Sequence, residues 1–201
     1  MIFFAGKEKT EDLLDQAMSY LEKGQPKVAI PLFKKIVKQE PKNTTALYNQ
    51  GLALNQLKKY QDAITCFDKV IEINPDDVGS INNRGISLAE LGNTDDALEY
   101  YNKAIEIDPK HAAAHYNNGV LYDKLLLHEE AIQSLDEALK CYSGNVNTAF
   151  YRGIVLGKMK KHEEALNCFE NIYRKHPKHM DAFFHKGIEL AELGKHERAL
   201  E

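Results

Sequence analysis

Residues 44–77 read TTALYNQGLALNQLKKYQDAITCFDKVIEINPDD, and residues 78–111 read VGSINNRGISLAELGNTDDALEYYNKAIEIDPKH. Laid one over the other, they match at Gly51 and Gly85, Leu54 and Leu88, Ala63 and Ala97, Phe67 and Tyr101, and Pro75 and Pro109. Working outward with the same 34-residue step, the glycine row continues through Gly119, Gly153 and Gly187, with Ala17 in the preceding place. The alanine row runs Ala29, Ala63, Ala97, Ala131, Ala165 and Ala199, and Phe33, Phe67, Tyr101, Leu135 and Phe169 form a third. Pro41, Pro75, Pro109 and Pro177 form a fourth, interrupted at Ser143. Four rows sharing one period define a repeat array. With the glycines at position 8, the copies are 10–43, 44–77, 78–111, 112–145, 146–179 and a broken copy, 180–201.

Each copy holds two segments with apolar residues at three- and four-residue steps, such as Leu47, Gly51 and Leu54, then Ala63, Phe67, Val70 and Ile71. That period predicts two amphipathic helices, A and B, here Thr44 to Leu57 and about Tyr60 to Asn74. A glycine inside a helix costs about 1 kcal/mol relative to alanine, so its recurrence implies a close helix crossing at position 8 of A and position 20 of B. The aromatic at position 24 is expected to fill the wider part of the wedge. Proline at position 32 stops helix B and turns the chain into the next copy. In the first copy Pro26 suits a helix start, whereas Pro31 predicts local bending or fraying. Residues 1–9 lack the register and are expected to form a short cap that places Ile2, Phe3 and Phe4 on the first copy.

This pattern resembles the tetratricopeptide repeat: a small residue at 8, a large apolar one at 11, Ala at 20, an aromatic at 24, a small or apolar residue at 27 and Pro at 32. Gly51, Leu54, Ala63, Phe67, Val70 and Pro75 fill those positions in one copy, and Gly85, Leu88, Ala97, Tyr101, Ala104 and Pro109 in the next. The departures are small: the position 4 aromatic appears only as Phe183, and Leu135 replaces the aromatic at 24. The resemblance implies an all-α, right-handed superhelical solenoid of antiparallel helix hairpins over residues 10–201, serving as a non-catalytic protein–protein interaction module.

The 201 residues carry 26 Lys and Arg against 30 Asp and Glu, a formal charge of −4 with no Trp. Nothing in that balance attracts nucleic acid or an anionic membrane, so neither is expected as a partner. No apolar run reaches the roughly eighteen residues of a membrane span, and the short start Ile2 to Phe4 is no secretory leader. Three widely spaced cysteines, Cys66, Cys141 and Cys168, predict a reducing compartment, hence the cytoplasm, and thiols that pack as buried structural groups. Charge is uneven: residues 1–43 carry +2, 44–145 carry −8 and 146–201 carry +2. Many central acids, such as Asp62, Asp95, Asp96, Glu129 and Glu130, fall at positions 18 and 19, where they complement the positive end of helix B.

On helix A, positions 4, 8 and 11 face the partner helix and positions 2, 6, 9 and 13 form the opposite stripe, expected to line the concave surface. Position 6 reads Asp15, Asn49, Asn83, Asn117, Tyr151 and His185. An amide both donates and accepts, so Asn49, Asn83 and Asn117 suit the N–H and C=O groups of an extended peptide; they resemble the asparagine ladder in the repeat arm of the nucleocytoplasmic O-linked sugar transferase. The competing reading is that these amides only keep a helix face polar. Tyr48, Tyr116, Phe150, Tyr151 and Phe184 are candidate side-chain anchors. The carboxylate clamp of chaperone-binding repeats is not expected, because position 9 is apolar throughout and position 6 lacks Lys and Arg.

No nucleotide loop, serine elbow, Cys-x-x-Cys pair or His-Glu-x-x-His helix occurs, so neither cofactor nor metal is expected and no catalytic residue is assigned. His128, His162 and His196 share position 17 and read as turn residues. His111 and His115 have the four-residue spacing of metal ligands on one helix, without a cysteine to complete a set. The alternative function is a structural spacer or a homo-oligomer formed through the last copy, whose helix B has barely begun at Ala199.

Overall fold

The computed structural model describes residues 9–199. The expected cap, Ile2 to Phe4 included, lies outside them, as do Leu200 and Glu201. The described residues form α1 (Thr10–Glu22), α2 (Pro26–Gln39), α3 (Thr44–Gln56), α4 (Tyr60–Ile73), α5 (Val78–Glu90), α6 (Thr94–Ile107), α7 (Ala112–Lys124), α8 (His128–Cys141), α9 (Val146–Lys158), α10 (His162–Lys175), α11 (Met180–Glu192) and α12 (His196–Ala199). Residues through Ile107 form one compact unit and those from Asp108 onward a second. In each unit every helix packs on the next in sequence, so the fold is an all-α solenoid of antiparallel hairpins, as the 34-residue period predicts.

Two local devices set the hairpins. At the end of each A helix, position 15 takes a left-handed backbone, and the N–H of position 16 returns to the carbonyl of position 11: Lys59 to Leu54 at 2.9 Å, Asn93 to Leu88 at 2.9 Å, Lys161 to Leu156 at 3.0 Å. That six-residue bond satisfies an orphan carbonyl at the helix end. Glycine meets the left-handed requirement without strain at Gly92, φ 86°, whereas Leu126 adopts φ 62° despite its side chain. At the start of later A helices a side chain caps the first turn: Asn43, Asp77, His111, Asn145 and His179 accept from the N–H groups of Ala46, Ser80, Ala114, Thr148 and Ala182. His111 is therefore a cap, and His115 Nε2 lies 3.0 Å from the Pro109 carbonyl.

The glycine row owes its existence to the side chain at position 24 more than to the alanine at 20. A Cβ on Gly51 would lie 2.6 Å from the Phe67 ring, on Gly85 2.7 Å from Tyr101, on Gly119 2.7 Å from Leu135 and on Gly153 2.7 Å from Phe169. The alanine enters second, through its backbone: the Ala97 carbonyl is 3.3 Å from the Gly85 Cβ position. Phe33, Phe67 and Phe169 are fully buried, each contributing about 2–3 kcal/mol by the area its ring removes from water. Pro31 does not fray its helix: α2 runs unbroken from Pro26 to Gln39, with Pro31 on the exposed side.

Candidate functional site

In unit 1 the A helices touch directly, α1 on α3 and α3 on α5. Asn83 is held there by both amide hydrogens, one donated to the Gly79 carbonyl at 2.8 Å and one to the Tyr48 hydroxyl at 3.1 Å. Its Oδ1 is left to accept. Tyr48 lies over Gly79, and its ring meets Phe67 edge-on at 6.0 Å. Burial first, then the nearby Asp77 charge, push the Tyr48 hydroxyl above the usual tyrosine range, partly offset by Asn83. Asn49 is less available, since it is 8% exposed and donates to the Thr45 carbonyl of its own helix at 2.9 Å. The same stripe carries Glu11, Asp15, Glu22 and Glu90, all exposed, and no Lys or Arg.

Unit 2 treats the same positions differently. Tyr151, at position 6 of α9, donates its hydroxyl to Asp123 Oδ2 at 2.6 Å, and Lys158 donates to the same oxygen at 2.6 Å. Asp123 is 3% exposed. Burial alone would raise its carboxyl, but the hydrogen bonds from Lys158 and Tyr151, with the Lys158 and His128 charges, more than reverse this and hold it below the usual range. Burial first, then the bond to Asp123, push the Tyr151 hydroxyl up. His128 Nδ1 lies 3.1 Å from Asp123 Oδ1, out of line for a hydrogen bond. One copy on, Glu189 reaches His162 Nδ1 at 2.7 Å, through space that a Cβ on Gly157 would close at 2.6 Å from Glu189 Oε1.

His128 and His162 are thus the first residues of α8 and α10, paired with buried carboxylates, and not turn residues as the spacing suggests. Asp123 and Glu189 carried no sequence signal, because no other copy has an acid at position 12 or at position 10. Phe150 is half-buried and belongs to a ring cluster with Phe169 at 5.5 Å, His179 at 5.2 Å and His185 at 5.3 Å, so it packs the hairpins together. Tyr116 meets Tyr151 edge-on at 6.0 Å, and Asn117 is half-buried on α7. Phe184 stands 66% exposed with Met180, beside a groove of about 660 Å³ on α11, where Gly187 faces nothing nearer than the Ala199 carbonyl at 3.8 Å.

Cys66 is buried, and burial pushes its thiol up to about 11. Cys141 and Cys168 are only half-buried, against expectation: Cys141 is the last residue of α8, its Sγ 3.8 Å from the Pro109 carbonyl, and Cys168 borders a cavity. Among the described residues, no three His, Cys, Asp or Glu side chains gather where a metal could sit, and no helix is long and apolar enough to cross a membrane.

Family models described as Tetratricopeptide repeat match residues 14–78 and 152–201, and residues 80–111. No curated protein matches the sequence. Among solved structures, a thermophilic repeat protein of Thermus thermophilus is 20% identical with a TM-score of 0.76, covering 91% of this chain and 100% of its own. PilF of Pseudomonas aeruginosa is 15% identical with a TM-score of 0.81, over 94% of this chain and 86% of its own. YrrB, titled as a repeat protein with an unusual peptide-binding site, is 21% identical with a TM-score of 0.66, over 84% of this chain and 87% of its own. At these identities the likeness shows the fold.

Proposed function

This chain belongs to the tetratricopeptide repeat family, and on that premise we propose that it binds an extended peptide segment of a partner protein on the inner faces of its A helices. Repeats of this fold generally mediate protein–protein and peptide interactions. The observation that carries the reading is Asn83: with both hydrogens bonded to Gly79 and Tyr48, its Oδ1 is oriented before any ligand arrives and accepts from a peptide N–H without further ordering. Asn49 takes the same role one A helix earlier, on α3, from a more buried place. In unit 2, Asn117 is the amide, Tyr116 and Tyr151 form the adjoining wall, Phe150 supports it and Phe184 offers an exposed ring. The carboxylates on the same stripe, Glu11, Asp15, Glu22 and Glu90, favour a segment bearing Lys or Arg.

Titration of lysine-containing extended peptides against the wild type and Asn83→Ala, by fluorescence anisotropy, tests this. Loss of one neutral hydrogen bond predicts about a fivefold weaker affinity with an unchanged circular dichroism spectrum. Equal affinities from a folded variant would sink the amide contact.

The exposed Met180, Phe184 and Ile188 around the α11 groove favour a second reading, association of two copies through this face. Light scattering over a concentration range checks it: Phe184→Lys should shift a dimer to monomer, and a wild type that is monomeric at every concentration speaks against it.

A further inference from the structure

Arg84 and Arg152 occupy the same repeat position two copies apart, and each is tied by Nε to the carboxylate of an aspartate at the same place in the preceding copy: Asp68 Oδ1 at 2.5 Å and Asp136 Oδ1 at 2.5 Å. What covers the guanidinium differs. Over Arg84 lies the Tyr100 ring, its centroid 4.0 Å from Cζ. The residue 68 positions later is Cys168, which meets Arg152 Nη1 with its Sγ at 3.3 Å. A thiol fills far less space than a phenol. Beside Arg152 and Cys168, unit 2 has a cavity of about 330 Å³ also bordered by Leu139, Val146, Ala149 and Ile172.

We infer that this cavity between α8, α9 and α10 is a binding site for a planar aromatic group of phenol size, which stacks on Arg152 as Tyr100 stacks on Arg84. The volume is at the lower end of small-molecule pockets and exceeds the roughly 150 Å³ that suffices to hold benzene. The chemistry of the walls selects the class. Aliphatic side chains reward any apolar group, but the flat guanidinium face adds an attraction that only a π-system receives. Asp136 already balances the Arg152 charge, and Asn145, Asn171, Lys175 and His176 add polar groups to the lining that suit the hydroxyl of a phenol. Burial holds the Cys168 thiol above its usual range, with Arg152 opposing, so it acts as a small packing group at the rim of the space.

The experiment is calorimetric titration of the full chain with p-cresol, with 4-methylcyclohexanol as the saturated counterpart. One saturable site for p-cresol is expected, with the saturated alcohol about 3- to 30-fold weaker for want of the cation–π contact. Cys168→Tyr restores the missing ring and should weaken p-cresol at least tenfold. Tyr100→Cys opens the matching space over Arg84 and should raise the stoichiometry from one to two, a readout that stands even where Cys168→Tyr does not fold. N-acetyltyrosinamide distinguishes the sources: its binding points to a tyrosine side chain of a partner, and p-cresol binding alone to a small molecule. No p-cresol binding, equal affinity for its saturated counterpart, an unchanged affinity in folded Cys168→Tyr, or a count that stays at one in Tyr100→Cys overturns the assignment.

Discussion

The step from α3 to α5 and the step from α7 to α9 join equivalent helices, yet one is sewn by neutral groups and the other by an ion. In the first, Asn83 donates to Tyr48, and Ser87 donates to Asn55 Oδ1 at 2.8 Å. In the second, Tyr151 and Lys158 both donate to the buried carboxylate of Asp123. Asn55 and Asp123 hold the same repeat position, as do Asn83 and Tyr151. The side chain at position 12 of one A helix thus decides whether position 6 of the next finds a charged partner across the step. Asn55 accepts from Ser87 and makes no bond to Asn83, which turns to Tyr48 and Gly79; Asp123 engages the Tyr151 hydroxyl.

The largest effect should come from Asp123→Ala. It removes the acceptor shared by Tyr151 and Lys158 and leaves a half-buried hydroxyl without a partner, at a cost of about 2–3 kcal/mol, moderated because Lys158 is partly in water. Urea unfolding at pH 7 measures it. The pH dependence has a definite sign. Since the folded carboxyl lies below its ordinary value, its contribution is fully present above the unfolded value of about 3.9 and is lost as pH falls through the lower folded value. Stability of the wild type should therefore drop more steeply than that of Asp123→Ala below about pH 4. Parallel acid limbs would mean that Asp123 is not the ion that joins these helices.

Ser87→Ala probes the neutral step. It removes a hydroxyl that reaches Asn55 Oδ1 and, at 3.0 Å, the Asn83 carbonyl, all uncharged groups, and should cost about 1 kcal/mol. Neither Ser87 nor Asn55 titrates, so the loss should be the same at pH 4 and pH 8. A loss that varied with pH would erase the contrast between the two steps.

The fold was legible because close packing forces the same residue at the same place in every copy: a Cβ at Gly51, Gly85, Gly119 or Gly153 collides with the side chain at position 24, so the row survives and the period shows. The hairpin ends follow from the same logic, although the cap row from Asn43 to His179 mixes Asn, Asp and His, which share an acceptor and not a name. The candidate site was legible only as a row of positions. Tyr151 and Phe150 lie on the rows that the helical period selects, but Asp123 and the ring cluster of Phe169, His179 and His185 fix what they touch. Asp123 comes from the preceding copy and has no acid at the same position in any other, and His185 comes from the copy after Phe150; Phe169 and His179 share a copy with Phe150 and lie on repeated rows, but their rings meet it through contacts the period does not show. A periodic sequence reveals the contacts that every copy needs and hides those that one junction makes alone.

Tyr48→Phe should give the smallest change in stability and the most informative change in binding. The ring keeps its edge contact with Phe67 and its place over Gly79, so only the bond accepted from Asn83 is lost, about 0.5 kcal/mol at a half-buried site. Asn83 then retains the Gly79 bond alone, and its amide gains freedom to turn. If orientation before binding matters, affinity for an extended peptide should fall about two- to threefold although the deleted hydroxyl makes no proposed contact with the ligand. The matching change in the other step, Tyr151→Phe, should leave unit 1 binding untouched and lower stability, since its hydroxyl serves Asp123. Equal effects of the two phenylalanine variants on peptide affinity would show that position 6 and its neighbours act alike in both units, and the distinction between an amide that faces a ligand and a hydroxyl drawn inward would fail.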